Sequence, residues 1–413
     1  MRILIVTQYF PPEMGAPQAR LYELALRLKN KGHAITVLTA MPNYPAARVF
    51  DGFRTKLRCT ENMDGMRIIR TCIFPSKSRN IFVRLFSYMS FVKSSVMLGL
   101  WELGRQDIAI VESPPLFLGP SGLLAGWKTG AKTVFNVSDI WPDIVVRMGE
   151  VGNPVFIKVM EWLESFCYRH SDCVALTNPG AVQQVRERFP GVDCTVISNG
   201  VDTEKFRADL RSESVRESFG ATPDDMLVGY CGLHGLAQGC EVILEAADRL
   251  RDRGDIRFIM VGDGPTKASL LERADRLKLE NLTFYDQRPK AEMPPLVASL
   301  DVSLIPLSVR LPGTMPSKFY EALASGTPAA VAKGCEAEPL VDKYNVGIAF
   351  EPLNADELAD GLRRLADNPA ERAEMSRAAC ELAFRFDRNV IAERTEGILQ
   401  AIVDGRPLPE VEW

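Results

Sequence analysis

Histidine is scarce in this chain of 413 residues, which contains three, at positions 33, 170 and 234. These lie far apart, and neither an H-x-x-x-H nor an H-E-x-x-H spacing occurs, so we expect no histidine-rich zinc site. The nine cysteines form no C-x-x-C pair, and several stand inside apolar runs. Such cysteines are typical of buried free thiols in a reducing compartment. The sequence therefore predicts neither a zinc site of these types nor a disulfide scaffold.

A strong charge of one sign is also lacking. The chain has 49 lysines and arginines against 53 aspartates and glutamates, for a formal charge of -4. General nucleic-acid binders carry a basic excess, so we expect no nucleic-acid partner. The first ten residues form a short apolar run that leads into Pro11, Pro12 and Glu13 without the cleavage site of a secretory signal. We interpret this run as a β-strand and expect a cytoplasmic location.

The sequence does contain two α/β halves that begin in the same way. Residues 2–10 predict a strand, and the helical and apolar patterns that follow to residue 40 complete a βαβ unit, which implies a parallel sheet. Residues 225–265 repeat the order of strand, glycine-containing loop, helix and strand, after a polar segment over 199–214. We predict two doubly wound, Rossmann-like α/β domains that face a central cleft, where ligands of open α/β sheets bind.

The segment PGTMPSKFYEALASGTP (312–328) is the strongest candidate for chemistry. Met315, Pro316 and Ser317 lead into a predicted helix, and a helix N-terminus with free N–H groups binds anions readily. A lysine in its first turn, Lys318, is unfavourable for the helix and therefore indicates a negatively charged ligand. Glu321 lies on the same helix face and suits hydroxyl groups of a sugar or ribose. An ordinary capped helix with a surface ion pair is the alternative.

This segment resembles the signature of the family 4 retaining glycosyltransferases, which have the GT-B fold. Glu321 and the alanines, glycine and proline that follow match that signature, while Gly313 stands where the family has a first glutamate. Three further segments resemble family motifs in the expected order: YFPPEMGAP (9–17), NGVD (199–202) with Phe206, and VGDGP (261–265). Segments NVSDIWPD (136–143) and HGLAQG (234–239) resemble the branch of fucosaminyl-type transferases of bacterial O-antigen, capsule and exopolysaccharide assembly.

The resemblance implies an acceptor-binding domain over 1–200, a nucleotide-sugar-binding domain over 201–385, and a C-terminal helix over 386–413 that crosses back to the first domain. It implies a UDP-sugar donor and a lipid-diphosphate-linked or polysaccharide acceptor, with no cofactor. Because no D-x-D pair occurs, no metal is expected. By the resemblance, Lys318 and the N–H groups near Ser317 hold the diphosphate, Glu321 binds the ribose, and Arg288 contacts the base. The implied donor site contains Gly15, Gly232, His234, Gly235, Gln238, Arg288, Met315, Pro316, Ser317, Lys318 and Glu321.

Two departures from the family narrow these expectations. The family's arginine and lysine are absent from the loop over 232–239, so Lys318 is the cation expected to replace them. Gly313 removes a carboxylate that relatives use near the sugar hydroxyls, which predicts a deoxy or amino sugar as donor.

In the first half, the predicted catalytic residues are Asp139 and Glu112, which join Lys318 in that role. Each follows an apolar strand and is expected at its carboxyl end, where Asp139 can orient or deprotonate the acceptor hydroxyl. An N-cap role for Asp139, before a helix around 141–148, is an equal alternative.

The stretch over 75–101 contains Lys77, Arg79, Arg84 and Lys93 but no acid, and its apolar residues have helical spacing. One interpretation is an interfacial helix that holds the protein on the cytoplasmic face of the inner membrane. The other is a helix packed on the sheet of the first domain. For the whole chain, a UDP-sugar epimerase and a noncatalytic sugar-nucleotide-binding partner of a transferase complex remain the alternatives to a transferase.

Overall fold

The computed structural model describes residues 1–13, 15–76, 78, 81–148 and 152–410. The chain divides into two compact units, the first formed by Met1–Asn199 with Ile391–Trp413 and the second by Gly200–Val390. Each unit contains one sheet with helices against it, which confirms the predicted α/β class with two Rossmann-like sheets. Among the described residues, no helix combines the length and the apolar run that a membrane span requires.

The first unit has an eight-stranded sheet with the order β3-β4-β2-β1-β5-β6-β7-β8. All neighbours pair in parallel except β3, which runs antiparallel to β4. Its strands are β1 (Arg2–Val6), β2 (Ala34–Ala40), β3 (Arg58–Met63), β4 (Met66–Thr71), β5 (Ile108–Ser113), β6 (Lys132–Val137), β7 (Cys173–Leu176) and β8 (Cys194–Val196). Its helices are α1 (Ala16–Asn30), α2 (Ile81–Ser94), α3 (Gly119–Thr129), α4 (Asp143–Arg147), α5 (Pro154–His170) and α6 (Pro179–Arg188).

The second unit has a six-stranded parallel sheet with the order β11-β10-β9-β12-β13-β14. Its strands are β9 (Met226–Cys231), β10 (Ile256–Val261), β11 (Leu282–Tyr285), β12 (Val302–Ile305), β13 (Ala329–Ala332) and β14 (Gly347–Phe350). Its helices are α7 (Glu213–Ser218), α8 (Glu241–Arg249), α9 (Lys267–Leu277), α10 (Met293–Ala298), α11 (Ser317–Ala324), α12 (Glu338–Tyr344), α13 (Ala355–Asp367) and α14 (Pro369–Ala383). The last helix, α15 (Arg388–Asp404), begins in the second unit and continues in the first.

In each sheet, the order in which the strands follow one another reverses beside the first strand of the unit. The order reverses between β1 and β5 in the first unit and between β9 and β12 in the second. In open α/β sheets, ligands bind at the carboxyl ends of the strands beside such a reversal. The loops that follow β5 and β6, and those that follow β9 and β10, are therefore the places to look for a site in each unit.

The core of the first unit has two layers because successive strand residues point to opposite faces. Ile3 and Ile5 of β1 pack with helices α1 and α15, whereas Leu4 and Val6 pack with the other helical layer, where Phe91 of α2 lies. This alternation fixes which helices share a face of the sheet.

Candidate active site

Two glycine-containing loops pack backbone against backbone in the second unit, after β9 and β10. Gly262 has φ +151°, and a Cβ there would collide with the carbonyl oxygen of Gly232. Gly264 has φ +159°, and a Cβ there would collide with the backbone of His234. Both positions therefore require glycine. The result is a rigid backbone cradle at the carboxyl ends of the two strands.

His234 is fixed in this cradle by its main chain. Its N–H donates to the carbonyl of Asp263 at 2.9 Å, and its carbonyl accepts from the N–H of Thr266 at 3.0 Å. The side chain is fully buried, and neither Nδ1 nor Nε2 has a hydrogen-bond partner among the described residues. Burial, reinforced by the charge of Lys267, lowers the pKa of the imidazole. A neutral ring then offers one N–H donor and one acceptor to a ligand.

Lys318 and Glu321 come together at the start of α11. Lys318 is half-buried, its Nζ lies 5.2 Å from the ring centroid of Tyr230, and its aliphatic chain lies against Gly232. Within the described part of the chain, neither Lys318 nor Glu321 makes an ion pair within 4.0 Å, although each influences the pKa of the other. The structure thus places Lys318 against the glycine cradle, with Glu321 three residues further along the same helix.

Burial disfavours the charged forms of both Lys318 and Glu321. It lowers the pKa of the Lys318 ammonium, while the Glu321 carboxylate acts in the opposite direction. It raises the pKa of Glu321, while the charges of Lys318, Arg388 and Lys290 lower it. An anion at Lys318 would favour the charged ammonium. The pair is therefore suited to a ligand that carries both negative charge and hydroxyl groups.

The remaining predicted donor residues divide into two groups. Met315 is buried, Pro316 immediately precedes α11, and Ser317 is its first residue. Gly235 is buried beneath the side chain of Gln238, so a larger residue at position 235 would displace that amide. Gly235 and Gln238 belong to the loop after β9, whereas Met315, Pro316 and Ser317 lead into α11, whose Lys318 lies against Gly232.

Arg288 lies apart from this group, in the loop after β11. It is exposed, its Nη1 lies 3.7 Å from Glu292, and its guanidinium lies 5.9 Å from the ring centroid of Phe219. It lines a shallow pocket with Lys267 and Tyr285. The structure therefore leaves the predicted base contact of Arg288 untested.

Lys267 is a residue that the sequence analysis missed in the second unit. Its Nζ donates to the carbonyl of Gly262 at 3.0 Å and pairs with Asp286 at 2.7 Å. It follows the VGDGP motif by two positions, so its place at the start of α9 was a usable signal. Lys267 supplies a positive charge beside His234 that the loop over 232–239 lacks.

In the first unit, Glu112 lies at the centre of a hydrogen-bond cluster at the ends of β5 and β6. Its carboxylate is buried, pairs with Arg20, and accepts from Asn136 Nδ2 at 2.6 Å and Ser138 Oγ at 2.8 Å. The same Nη2 of Arg20 donates to Ser138 Oγ at 2.8 Å. Arg20 Nη1 is buried and has no partner among the described residues. Glu112 is thus fully occupied, while Arg20 retains a donor that no described residue accepts from.

Asp139 follows β6 and is half-buried beside this cluster. Its carboxylate accepts no hydrogen bond from any described residue. Burial raises its pKa, the charge of Arg20 lowers it, and the charge of Glu112 raises it further. Helix α4 begins after Pro142, which occupies the N-cap position, so the alternative role of Asp139 as that cap is wrong.

Arg20 was missed by the sequence analysis because it lacks the local signal that Lys318 carries. It is the fifth residue of α1 and lies beyond the first turn, in which positive charge is unfavourable. The partner that explains it, Glu112, lies 92 positions away and could not be assigned from local pattern.

Gly15, the predicted site glycine of the first unit, occupies the N-cap position of α1. A Cβ there would collide with the side chain of Gln18. The other two histidines have structural contacts: His33 Nε2 lies 2.8 Å from Glu396 Oε1, and His170 Nδ1 lies 2.8 Å from the carbonyl of Phe166. No group of three or more His, Cys, Asp or Glu side chains among the described residues is arranged to hold a metal ion.

Two sequence families match this chain in succession. The Glycosyl transferase 4-like domain matches residues 15–200, and the Glycosyl transferases group 1 family matches residues 212–381. The chain is a group 1, family 4 glycosyltransferase. The first match contains Glu112 and Asp139, and the second contains the glycine cradle with Lys318 and Glu321.

Individual relatives of this glycosyltransferase differ in their substrates. It is 26% identical to WcaI of Escherichia coli K12, named as a colanic acid biosynthesis glycosyl transferase, over 88% of this chain and 92% of WcaI. It is 23% identical to a GDP-mannose-dependent phosphatidylinositol monomannoside mannosyltransferase of Mycobacterium tuberculosis, over 88% and 89% of the two chains. The structure of Anabaena HepE with UDP-glucose is 19% identical, with a TM-score of 0.70 over 97% of this chain and 100% of HepE. The likeness establishes the GT-B fold.

Proposed function

We propose that this glycosyltransferase moves a sugar from a UDP-sugar, with retention of anomeric configuration, to a lipid-diphosphate-linked or polysaccharide acceptor in bacterial surface-polysaccharide assembly. The observation that carries the donor half of the proposal is the Lys318–Glu321 pair at the start of α11. A half-buried ammonium without a carboxylate partner matches a diphosphate. The similarity to WcaI supports the polysaccharide context, and the HepE complex supports UDP as the nucleotide.

In the proposed reaction, Lys318 stabilises the charge that develops on the departing diphosphate. The first N–H groups of α11, which have no partner within the helix, point toward the same anion. His234 can add an N–H donor from its neutral ring. Donors that are fixed before the reaction stabilise a developing charge without reorganisation. The leaving phosphate oxygen accepts the proton of the acceptor hydroxyl, so the reaction requires no nucleophile from the protein.

On the acceptor side, Asp139 is the proposed group that orients the attacking hydroxyl, whose proton passes to the leaving phosphate oxygen. No described residue donates a hydrogen bond to its carboxylate, and its raised pKa makes it a stronger hydrogen-bond acceptor for that hydroxyl than an exposed aspartate. Glu112 is saturated by its three donors, so we propose that it acts through Arg20 and Ser138 rather than on the substrate.

The proposed donor is a deoxy or N-acetylamino sugar. Gly313 has no side chain to meet a sugar hydroxyl, and its N–H donates to Glu336 Oε1 at 2.9 Å. Equal or better use of UDP-glucose than of such sugars would contradict this part of the proposal. Transfer without a metal and a cytoplasmic location, where nucleotide sugars are available, complete the proposal.

The experiment is a screen of UDP-, GDP- and dTDP-sugars by thermal shift, followed by product analysis with lipid-diphosphate-linked acceptors. Transfer from a UDP-sugar with an unchanged anomeric configuration supports the proposal. In Lys318→Ala, we expect kcat/KM to fall by about 100-fold or more, as for loss of one preorganised donor. The matched control is Lys343→Ala, at an exposed lysine in the same unit.

The same assay separates the alternatives. An epimerised sugar nucleotide in the absence of acceptor would indicate an epimerase. Tight UDP binding without turnover across the acceptor panel would indicate a noncatalytic partner, which the lack of cations in the loop over 232–239 would then explain.

A further inference from the structure

One helical layer of the first unit leaves large apolar side chains uncovered. Its tryptophans Trp101, Trp127 and Trp162 have 76%, 81% and 65% of their surface exposed. We call the exposed apolar residues of this layer the aromatic face. It consists of Phe86, Met89, Met97, Trp101, Leu124, Trp127, Val155, Val159 and Trp162.

Specific contacts join the elements of this face into one layer. Tyr88 of α2 stacks at 5.9 Å on Phe117, in the turn Leu116–Leu118 that leads into α3. Lys128 of α3 lies 4.4 Å from the ring centroid of Trp101. Gly119 of α3 is in direct contact with Cys167 of α5, where a Cβ would not fit. Helices α2, α3 and α5 therefore form a continuous surface on the side of the sheet opposite α1.

Helix α5 shows that the exposure follows a pattern. Val155, Val159 and Trp162 recur at helical spacing along its outer side, and Trp162 stacks at 5.8 Å on Phe166. The inner side of the same helix is buried through Met160 and Leu163. The inner apolar side of such a helix packs in the protein core. A second apolar side, exposed at the surface, indicates an apolar partner outside the core.

The charges on this layer are mostly positive. The exposed cations are Arg84, Lys93, Lys128, Lys158 and Arg169. No acid occurs over 75–101 or within α3, and the exposed acid of α5 is Glu161. Lys77 and Arg79, which the sequence analysis included in this basic stretch, lie outside the described residues. Aromatic and aliphatic groups mixed with lysine and arginine match the surface of a bilayer that contains anionic lipid.

We infer that the aromatic face is the surface by which this protein lies on an anionic phospholipid bilayer. Tryptophan suits the boundary between headgroups and acyl chains, because its ring is apolar and its N–H is polar. Lysine and arginine side chains can keep their charges among headgroups while their methylene chains cover apolar surface. The aromatic face continues from the basic stretch over 75–101 onto α3 and α5. The sequences of these two helices did not by themselves predict contact with lipid. The inference is independent of the transfer reaction.

The test is binding of the full chain to vesicles of phosphatidylcholine alone and of phosphatidylcholine with phosphatidylglycerol, measured by sedimentation. We expect binding to the anionic vesicles, with a partition coefficient that falls with salt. Trp127→Ser combined with Trp162→Ser should reduce it by about tenfold or more. Lys93→Gln combined with Lys158→Gln should weaken binding to the anionic vesicles only. Phe384→Ser, at an exposed phenylalanine of the second unit, is the matched control and should bind like the wild type.

The inference is overturned by any of the following results. Absence of binding to either vesicle, or equal binding of the wild type and the tryptophan variant, would exclude the aromatic face as a lipid surface. A wild-type dimer in light scattering that becomes monomeric in the tryptophan variant would indicate a second copy instead. Circular dichroism and thermal unfolding of each variant verify that the protein is folded. UDP affinity, measured by calorimetry, separates this test from that of the transferase function.

Discussion

Two cations near helix N-termini, Lys318 and Arg20, organise the polar groups of the two units. Lys318 lies in the first turn of its helix, where positive charge is unfavourable, and each of the two cations lies beside a carboxylate. Lys318 faces Glu321 without pairing with it, whereas Arg20 forms a direct pair with Glu112. The first is thus available to a ligand, and the second holds a cluster in place.

Arg20 and Glu112 shift the pKa of Asp139 in opposite directions. Removing the charge of each should therefore shift the pH dependence of activity in opposite directions. Arg20 lowers the pKa of Asp139 and Glu112 raises it. If ionised Asp139 is the form that acts, activity falls as pH decreases through its pKa. Arg20→Gln should therefore move the acidic limb of kcat/KM to higher pH, and Glu112→Gln should move it to lower pH.

The measurement is a pH–rate profile for each variant with a saturating donor. Asp139→Asn is the reference and should lower kcat by about 100-fold or more and remove this limb. Shifts of both variants in the same direction would show that Asp139 is not the titrating group.

At the residue scale, the sequence predicted Lys318 because its signal is local. Arg20 gives no such local signal, and its role depends on a partner on a distant strand, Glu112 of β5. Glu112 and Asp139 could be placed at strand ends by pattern alone, whereas the saturation of Glu112 by Arg20, Asn136 and Ser138 required the fold.

At the scale of elements, helices α5 and α6 are joined by a buried carboxylate. Glu164 is fully buried, and its Oε2 lies 2.6 Å from Arg188. Burial raises its pKa from 4.5 to about 7, against the opposing effect of Arg188. The folded state therefore binds a proton at Glu164 more tightly than the unfolded state does.

The sign of the resulting pH dependence is fixed by linkage. The contribution of Glu164 to stability is complete below pH 4.5 and is lost as pH rises through about 7. The pKa difference of Glu164 between the folded and unfolded states corresponds to a free energy of about 3 kcal/mol. Between pH 5 and pH 8, the free energy of unfolding of the wild type should decrease more than that of Glu164→Gln. The two decreases should differ by most of this free energy. Urea unfolding at the two pH values measures it, and an unchanged pH dependence would contradict it.

Other elements show where pattern reading fails. Strand β3 is polar along much of its length and lies at the edge of the sheet, antiparallel to β4, so it lacked the apolar run of a central strand. The first strand was predicted to extend over 2–10, but β1 ends at Val6, before the polar Thr7 and Gln8. A π-helical segment at Ser95–Gly99 interrupts the helix predicted within 75–101.

At the scale of the whole molecule, the α/β class and the two sheets followed from the sequence because each βαβ unit is a local pattern repeated along the chain. The two reversals of strand order were not readable, since they depend on which distant strands pair. The glycine cradle, with Gly262 against Gly232 and Gly264 against His234, likewise required the tertiary structure.

The central claim is that the second unit holds a UDP-sugar through Lys318. Calorimetric titration of the full chain with UDP, comparing the wild type with Lys318→Met, tests it most directly. We predict that the variant binds UDP at least about tenfold more weakly, because a charge-assisted contact to the diphosphate is lost, while Lys343→Met binds like the wild type. Equal affinity of the wild type and Lys318→Met for UDP would contradict the claim.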